Sequence, residues 1–472
     1  MAIIKTYMVP HPPLIIPQIG KGGEKQIDKT INSYEEIAKE ISTLKPETII
    51  ISSPHTIMYG DYFHITNANK VSGDLSNYNV SNILFEEEQD IDLIEEIEKV
   101  SRKYNFPAGR TKDTELDHGT IIPLYFIRKY YKEGKIIVLG PSGLPLIDNY
   151  MMGIIIKEAV NNLDKKVVFI ASGDLSQKNV LVDYGCGKGR VDYFLSHETK
   201  CKSIGVEYDE RIMDVCSKSN FNELLNFEES FLDKAAECGH RSFTIMSGTM
   251  DGLNVEAKEY SHEDITGVGY GIISFTPQDK NENRYFLDKY FDDLEEKINT
   301  KKQNEDAYVK LARLTIEEYI TTGNTLEIAN NIPEELINNQ AGVFVSIHKF
   351  GSLRGCIGTI IPTTNSIAKE IITNAISAST KDPRFPKIEK EELQYLDINV
   401  DVLGKPEKIT SEEELNVKEY GVIVTSGTKR GLLLPDLEGI DTVSEQISIA
   451  KKKAGIKDEP YTLERFKVTR HK

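Results

Sequence analysis

Short continuous apolar runs alternate with amphipathic stretches along the first part of the chain. The runs at residues 48–53, 135–140 and 166–172 are rich in β-branched residues and end in Ser or Gly. Strands have this composition when helices cover both faces of their sheet. Residues 27–44, before the first of these runs, and residues 91–104, between the first and the second, have helical periodicity. The alternation predicts an α/β domain whose sheet carries helices on both faces.

The pattern changes after residue 277. An apolar stretch at residues 267–275 predicts a closing strand, and Pro277 follows it. Residues 278–304 are dense in Asp, Glu, Lys and Asn, and their apolar positions recur near helical spacing, which predicts a charged helical linker. Residues 305–472 mix helical and strand-like patterns and predict a smaller α+β domain. The first domain is therefore predicted over residues 1–277.

Composition and charge limit the classes of function. The 472 residues exceed what one hydrophobic core usually organises, in agreement with two domains. Apolar residues make up 39% and charged residues 28% of the chain, which is the balance of a folded globular protein. Because 74 acidic residues outnumber 57 basic ones, the net charge of -17 disfavours nucleic acid and anionic membranes as partners.

No targeting or membrane segment is evident in the sequence. The first residues lack the apolar core and cleavage site of a signal peptide. No run reaches the roughly 18 apolar residues of a membrane helix. The five cysteines are scattered without a Cys-x-x-Cys pair, which argues against a disulfide framework and a structural zinc site. We therefore expect a protein of the reducing cytoplasm.

Three histidines fall where α/β proteins place functional groups. His11 lies between prolines after a strand-like N-terminus, His55 follows the run at residues 48–53, and His118 lies in a turn-like Asp-His-Gly segment. Functional groups of open α/β sheets gather beyond the carboxyl ends of the strands. Two histidines and one carboxylate form the metal site of non-haem iron(II) oxygenases, and Glu237 is the carboxylate candidate. A single histidine is more often a satisfied core or surface residue, but three at strand ends or in turn-like segments favour a functional site.

Short motifs in both domains resemble known families. In order and spacing, those of the first domain resemble the class III extradiol dioxygenases and their Memo-like branch: Pro10-His-Pro-Pro13, Ser53-Pro-His55, Asp117-His-Gly119, Ser172-Gly-Asp-Leu-Ser176 and Glu237-Cys-Gly239. The second domain resembles the AMMECR1 family through Leu353-Arg-Gly-Cys-Ile-Gly358, Asp382-Pro-Arg-Phe385 and Gly431-Leu-Leu-Leu-Pro435. The fusion resembles the proteins of the AmmeMemoRadiSam system, whose name implies a radical S-adenosylmethionine (SAM) protein as partner.

The resemblance implies a metal site and an oxidoreductase activity. His11 and His55 take the two histidine positions, and either Glu237 or its neighbour Cys238 takes the third. A carboxylate suits ferrous iron, whereas a thiolate favours zinc or copper(I). We expect Glu237 and ferrous iron, with zinc or copper as the alternatives, and a small-molecule substrate of aromatic type.

Other residues of the first domain are implied in supporting roles. His118 is the expected acid or base beside the metal, because imidazole titrates near neutral pH. His240 and Asp174 are expected to support the ligands or to replace one of them. Many relatives have histidine where this chain has Gln177, and an amide cannot transfer a proton at neutral pH. The competing hypothesis is therefore a non-catalytic adaptor that delivers metal or substrate to the radical SAM partner.

Two further segments are candidates for binding or catalysis. Residues 184–190 are rich in glycine but lack the context of a nucleotide-binding loop, and we expect a loop over the metal pocket. In the second domain, Arg354 could bind an anion through its forked guanidinium, and Cys356 could act as a nucleophile. The alternative is a tight structural turn with a buried cysteine. A hydrolase or transferase centred on Cys356 has the least support, because no base is identifiable nearby in the sequence.

Overall fold

The computed structural model divides the chain into two compact units, Met1–Tyr290 and Phe291–Lys472. It describes residues 2–112, 115–177, 204–264, 267–328, 332–437, 440–457 and 459–472. Each unit has its own sheets and its own buried apolar clusters. Among the described residues, no helix has the length and the apolar character needed to cross a membrane.

A mixed eight-stranded sheet organises the first unit. The strands of this unit are β1 (Ile3–Val9), β2 (Thr48–Ser52), β3 (Phe63–Ile65), β4 (Lys70–Leu75), β5 (Val80–Glu88), β6 (Ala108–Arg110), β7 (Lys135–Leu139), β8 (Val167–Ser172), β9 (Leu253–Glu263) and β10 (Tyr270–Lys280). The order across the large sheet is β6-β3-β7-β2-β8-β1-β10-β9, and β4 and β5 form a separate hairpin. The central strands β7, β2, β8 and β1 are parallel, whereas β10 and β9 are antiparallel.

Helices cover both faces of this sheet. They are α1 (Pro17–Gly20), α2 (Asp28–Leu44), α3 (Ile91–Lys103), α4 (His118–Tyr130), α5 (Leu146–Leu163), α6 (Ile204–Ser217), α7 (Glu229–Ala235) and α8 (His240–Gly248). Strand β2 shows the effect of this cover: Ile49 and Ile51 join the apolar cluster formed with α2 and α4, and Ile50 is equally buried on the opposite face. Continuous apolar runs form these strands because neither face meets water.

Two antiparallel four-stranded sheets organise the second unit. Its strands are β11 (Val343–Lys349), β12 (Ser352–Gly358), β13 (Leu396–Leu403), β14 (Glu407–Ile409), β15 (Gly421–Ser426), β16 (Lys429–Leu433), β17 (Thr462–Phe466) and β18 (Val468–His471). The strand orders are β12-β11-β13-β18 and β14-β17-β15-β16. The remaining helices are α9 (Phe286–Asn304), α10 (Ala307–Thr322), α11 (Glu334–Asn338), α12 (Ile367–Thr380) and α13 (Val443–Ala454). Apolar residues of α10 and α12 join those of β11 and β13 in one core.

The predicted fold class is confirmed for both units, but one strand boundary differs. The apolar run at residues 267–275 predicts a strand that closes before Pro277, whereas β10 continues through Pro277 to Lys280. Pro277 lies opposite Val255 of β9, and the strand register shifts between Pro277 and Lys280. Proline has no amide hydrogen to donate, so it is tolerated in a sheet where the regular ladder is interrupted.

The charged segment after β10 contains helix α9, and the boundary between the two units falls inside this helix. The amide of Phe286 at its start donates to Oδ1 of Asp251, and the Phe286 side chain is buried. The start of α9 is therefore held by the first unit. The domain boundaries predicted at residues 277 and 305 stay predictions.

We expect the two units to fold independently, because each has its own core. Fragments 1–304 and 286–472 both retain α9, and each should give a cooperative thermal transition by circular dichroism. A shorter fragment, 1–280, should melt at a lower temperature, because it loses buried Phe286 and leaves Asp251 without that amide. If neither long fragment is ordered, the two-domain organisation is wrong.

Candidate metal centre

The carboxyl ends of three neighbouring parallel strands converge on one edge of the large sheet. His11 lies two residues after β1, His55 three residues after β2, and Asp174 two residues after β8. Strands β1 and β2 flank β8 and run parallel to it. The alignment of these strands therefore brings together side chains that are far apart in sequence, at the edge where α/β sheets place their sites.

The start of helix α4 adds His118 to this edge. Asp117 caps the helix by accepting from the amide of Thr120 at 3.1 Å, and it also accepts from the hydroxyl of Ser53 at 2.6 Å. The second bond ties the helix start to the end of β2. Glycine is required at position 119, because a Cβ there would lie 2.4 Å from Oγ of Ser53. The two chain neighbours of His118, Asp117 and Gly119, are thus both packed against Ser53, which fixes the position of the His118 backbone.

The three imidazoles of His11, His55 and His118 form a compact cluster. One nitrogen from each ring can be chosen so that all three lie within 4.8 Å of one another. The Nε2 atoms of His11 and His55 are 3.0 Å apart. The ring centroid of His118 is 5.3 Å from that of His11 and 4.2 Å from that of His55. His11 is buried, His118 is partly buried and His55 is exposed, so solvent reaches the cluster from the side of His55.

Ser172 fixes which nitrogen of His11 is free. Its hydroxyl donates its one proton to the carbonyl of Gly119 at 2.5 Å, so its oxygen can only accept from Nδ1 of His11, 2.9 Å away. The Nδ1 atom therefore carries the hydrogen, and Nε2 keeps its lone pair. A hydrogen bond on one ring nitrogen that prepares the other for a metal is the usual arrangement of ligating histidines.

The surroundings keep the imidazoles neutral. Burial lowers the pKa of His11 well below its usual value, and His55 and His118 lower it further. Burial and His55 together lower the pKa of His118 to about 4, although Asp117 opposes this shift. Burial also lowers the pKa of His55, again against Asp117. Neutral imidazole is the form that binds metal, so these donors are available at physiological pH.

Cys238, and not Glu237, lies next to His11. The sulfur of Cys238 is 3.5 Å from Nε2 of His11 and 3.8 Å from the carbonyl oxygen of Asp174. The carboxylate of Glu237 instead accepts from the amide of His240 at 2.5 Å, at the start of α8. The group of described side chains whose ligand atoms cluster consists of the three histidines, and neither Glu237 nor Cys238 belongs to it. Of the two residues that the sequence leaves as alternatives, Cys238 is therefore the one beside the imidazole of His11.

Two glycines allow the Cys238 segment to approach the strand ends. A Cβ on Gly173 would lie 2.1 Å from the Cα of Gly239, so the two backbones touch directly. Burial raises the pKa of the Cys238 thiol well above its usual value, with Asp174 and Glu237 adding to the shift. Without a nearby cation this cysteine is therefore a thiol. A cation bound beside it would favour the thiolate.

The remaining sequence candidates lie around the cluster. Oδ1 of Asp174 accepts from the amide of His11 at 2.8 Å, and burial raises the pKa of Asp174 to about 7. His240 is fully engaged: Nε2 donates to the carbonyl of Leu224 at 2.9 Å, and Nδ1 lies 3.2 Å from the hydroxyl of Tyr208. The side chain of Gln177 hydrogen-bonds with Cys238. His240 thus supports the fold around α8 and does not reach the imidazoles.

The two candidates of the second domain have different surroundings. Arg354 forms a forked pair with Glu392 at 3.1 and 2.8 Å and donates to the carbonyls of Pro386 and Lys387. Its donors are therefore taken by the protein itself, which corresponds to the structural alternative. Cys356 is only partly buried, and its sulfur accepts a hydrogen bond from the hydroxyl of Ser346 at 3.2 Å. The glycine-rich segment at residues 184–190 lies outside the described residues.

Sequence reasoning missed the roles of Ser53 and Ser172, which orient Asp117 and His11. It also missed Tyr78, whose ring lies 5.6 Å from that of His118. The two serines stand inside the motifs at the ends of β2 and β8, so their position was a usable signal. Tyr78 belongs to the turn between β4 and β5, and no spacing in the sequence relates it to His118.

Two protein-family models match the chain. The family model described as the catalytic LigB subunit of aromatic ring-opening dioxygenase matches residues 5–273, which is more than half of the chain. The chain belongs to the LigB family. The LigB region contains all three clustered histidines and Cys238. A second family model, AMMECR1, matches residues 309–472 and accounts for the other unit.

Individual relatives share the same organisation or parts of it. A protein of Clostridium acetobutylicum is 40% identical over 489 aligned positions and matches this LigB-family chain over the full length of both. A protein of Thermotoga maritima is 51% identical over 171 residues, which cover 36% of this chain and 98% of that protein. An uncharacterised protein of Pyrococcus horikoshii with a crystal structure is 34% identical, with a TM-score of 0.33 over 34% of this chain and 88% of the other.

Proposed function

We propose that the LigB domain binds one divalent metal through His11, His55 and Cys238 and carries out dioxygenase-like oxidoreductase chemistry on a small aromatic substrate. The observation that carries the proposal is the separation of the donor atoms. Two nitrogen ligands of one metal, each about 2.0 to 2.1 Å from it, lie roughly 2.9 to 3.4 Å apart. The two Nε2 atoms are 3.0 Å apart, as such ligands would be.

The sulfur of Cys238 fits the same arrangement. A thiolate about 2.3 Å from the metal lies roughly 3.1 to 3.6 Å from a nitrogen ligand of the same metal. The distance from the sulfur of Cys238 to Nε2 of His11 is 3.5 Å. We propose ferrous iron as the metal, because the family model describes a ring-opening dioxygenase. Zinc and copper(I) are the competing metals, since both are favoured by a thiolate ligand.

The chain's own residues then have distinct tasks. The bound metal would supply Lewis-acid and redox chemistry. The hydroxyl of Ser172 and the carboxylate of Asp174 orient His11 and hold its Nε2 atom towards the site. His118 lies beside the ligands and is neutral at physiological pH, so one of its ring nitrogens can accept a hydrogen bond from the hydroxyl of a phenolic substrate. Substrate would enter from the side of exposed His55.

A second candidate function is a metal-binding or substrate-binding adaptor for a radical SAM partner. The observation that favours it is Gln177, whose amide side chain lies beside Cys238 but cannot transfer a proton at neutral pH. Oxygen uptake by the iron-loaded, anaerobically purified protein with catechol-type compounds separates the two functions. Catechol-dependent uptake supports the dioxygenase. Tight catechol or metal binding without uptake supports the adaptor.

Replacing the two neighbouring candidates should have unequal effects on metal binding. Cys238→Ser removes a soft ligand beside His11 and should lower metal affinity roughly tenfold to a hundredfold. Glu237→Gln keeps an acceptor for the amide of His240 and should leave metal affinity within about threefold, so it serves as the matched control. Isothermal titration with Fe²⁺, Zn²⁺ and Cu⁺ under anaerobic conditions gives the affinities. A larger loss in Glu237→Gln would restore the carboxylate as the third ligand.

A further inference from the structure

The hairpin of β4 and β5 brings an aromatic side chain, Tyr78, to the metal centre. The turn of this hairpin, Ser76–Tyr78, is closed by the amide of Asn79, which donates to the carbonyl of Ser76 at 2.8 Å. Asn79 has a left-handed backbone with a φ of 61°, a conformation that asparagine tolerates better than most residues. Oδ1 of Asp74 accepts from the amide of Ser76 at 2.8 Å. Tyr78 therefore stands on a turn whose backbone is fixed at both ends.

The hairpin is docked on the segment that precedes His118. The amide of Leu116 donates to the carbonyl of Ser72 at 2.9 Å. A Cβ on Gly73 would lie 2.5 Å from the carbonyl oxygen of Leu116, so this close approach requires glycine. Backbone contacts thus fix the hairpin relative to the start of α4, and with it the position of Tyr78 relative to His118.

The Tyr78 ring lies against the outer side of the histidine cluster. Its centroid is 5.6 Å from that of His118, and the two ring planes are inclined by 71°. The Tyr78 hydroxyl has no hydrogen-bond partner among the described residues. Partial burial raises the pKa of Tyr78, and Asp117 and Asp174, which both border the cluster, raise it further. At physiological pH the hydroxyl is therefore protonated and can donate a hydrogen bond.

Packing accounts for the ring of Tyr78 but not for its hydroxyl. The side chain is partly buried against the apolar cluster of the first unit, and phenylalanine would make the same apolar contacts. Tyrosine adds one polar group, which usually finds a partner when the ring is packed in this way. A hydroxyl without a described protein partner, next to His118 at the metal centre, is placed to meet an oxygen of a bound ligand.

We propose that Tyr78 is a substrate-binding residue of the LigB domain, whose hydroxyl donates a hydrogen bond to an oxygen of the phenolic substrate and whose ring forms a wall of the substrate site. This inference rests on the proposed function, because the metal would hold the substrate beside His118. Tyr78 then contributes a donor and His118 an acceptor on the same side of the substrate. Together they orient the substrate ring relative to the metal.

The test measures binding of 4-nitrocatechol to the full-length protein loaded with Fe²⁺ under anaerobic conditions, where no turnover occurs. The visible absorption of this compound changes when its hydroxyls bind a metal. Tyr78→Phe should raise the dissociation constant roughly fivefold to tenfold, because one hydrogen bond to the ligand is lost. Tyr78→Ala also removes the wall and should raise it roughly thirtyfold. Both variants should bind Fe²⁺ as the unsubstituted chain does, within about threefold in isothermal titration.

Tyr125→Phe is the matched control. Tyr125 lies on α4, is partly buried against the same apolar cluster, and its hydroxyl also has no hydrogen-bond partner among the described residues. Its ring contacts Phe126 and the ammonium of Lys129, and no contact with the three histidines is observed. The control should bind 4-nitrocatechol as tightly as the unsubstituted chain, and circular dichroism verifies that all the variants are folded.

The outcomes separate this inference from the proposed function. If Tyr78→Phe and the unsubstituted chain bind 4-nitrocatechol equally, Tyr78 is not a substrate-binding residue, while the proposed function stands. If Tyr78→Phe loses Fe²⁺ affinity as much as it loses 4-nitrocatechol affinity, Tyr78 supports the metal centre and the inference is overturned. If the unsubstituted chain binds Fe²⁺ but no 4-nitrocatechol, both the aromatic substrate and the role of Tyr78 are wrong.

Discussion

Alanine at position 55 is expected to lower the metal affinity of the LigB domain by roughly a hundredfold or more without changing its melting temperature. One of three protein ligands is lost, and the chelate that remains holds the ion weakly. His55 is exposed to solvent, so its truncation leaves no buried cavity. The measurement is metal content per chain after anaerobic loading and desalting, together with isothermal titration.

His11→Ala should abolish metal binding to a similar degree, but at a cost in stability. His11 is buried, and its removal leaves the hydroxyl oxygen of Ser172 without the hydrogen bond from Nδ1. His348→Ala in the second unit removes one histidine outside the cluster and is the matched control. Metal content equal to that of the unsubstituted protein in the double variant His11→Ala, His55→Ala would disprove the proposed site.

The strands that position this site could be predicted because burial on both faces leaves a simple signature. The runs at residues 48–53, 135–140 and 166–172 correspond to β2, β7 and β8. Strand β9 was missed because it is the edge strand of the sheet and rich in charged residues. Its alternating exposed positions carry little of the hydrophobic signal on which sequence patterns depend.

The site was predictable only to the level of the motif. His11 and His55 follow predicted strands, so their convergence at one edge of the sheet could be predicted. The choice between Glu237 and Cys238 depends on the direction of two successive side chains. That direction is set by the left-handed backbone of Ala236, with a φ of 51°, and by the contact between Gly173 and Gly239. Neither feature can be read from local composition.

The same limit applies to the second unit. Arg354 stands in a motif whose glycines suggest a binding turn, and a free guanidinium there would suit an anion. Its partner is Glu392, which is 38 residues away in the chain. Long-range pairs of this kind decide whether a charged residue binds a ligand or holds the fold. A single sequence does not contain that information.

Replacing buried Asp174 by Asn is expected to stabilise the metal-free protein at alkaline pH and to have little effect at acid pH. Burial raises the pKa of Asp174 to about 7, from an ordinary value near 3.8. Below about pH 4 the Asp174 carboxyl is protonated in both the folded and the unfolded chain, so it does not change the free energy of unfolding. Between about pH 4 and pH 7 this carboxyl is ionised in the unfolded chain but protonated in the folded chain, so the free energy of unfolding falls as the pH rises.

Above about pH 7 the folded chain carries the full cost of a buried carboxylate, roughly 2 to 4 kcal/mol. Asn cannot ionise, and its oxygen still accepts from the amide of His11. The free energy of unfolding of Asp174→Asn, measured by urea denaturation of chelator-treated protein, should therefore exceed that of the unsubstituted chain increasingly from pH 5 to pH 8. Saturating metal should reduce the difference, because a nearby cation favours the ionised carboxyl.

Asp90→Asn is the control of opposite sign. Asp90 is also buried, which by itself raises its pKa, but the hydrogen bonds from Lys165 and Thr48 outweigh burial and lower the pKa. Ionised Asp90 stabilises the folded chain at pH values above the pKa that Asp90 has in the unfolded chain. This contribution is lost as the pH falls through the lower pKa that Asp90 has in the folded chain. Asp90→Asn should therefore be less stable than the unsubstituted chain at pH 8, with a smaller deficit near pH 4. A pH-independent effect of Asp174→Asn would show that Asp174 does not hold its proton in the folded protein.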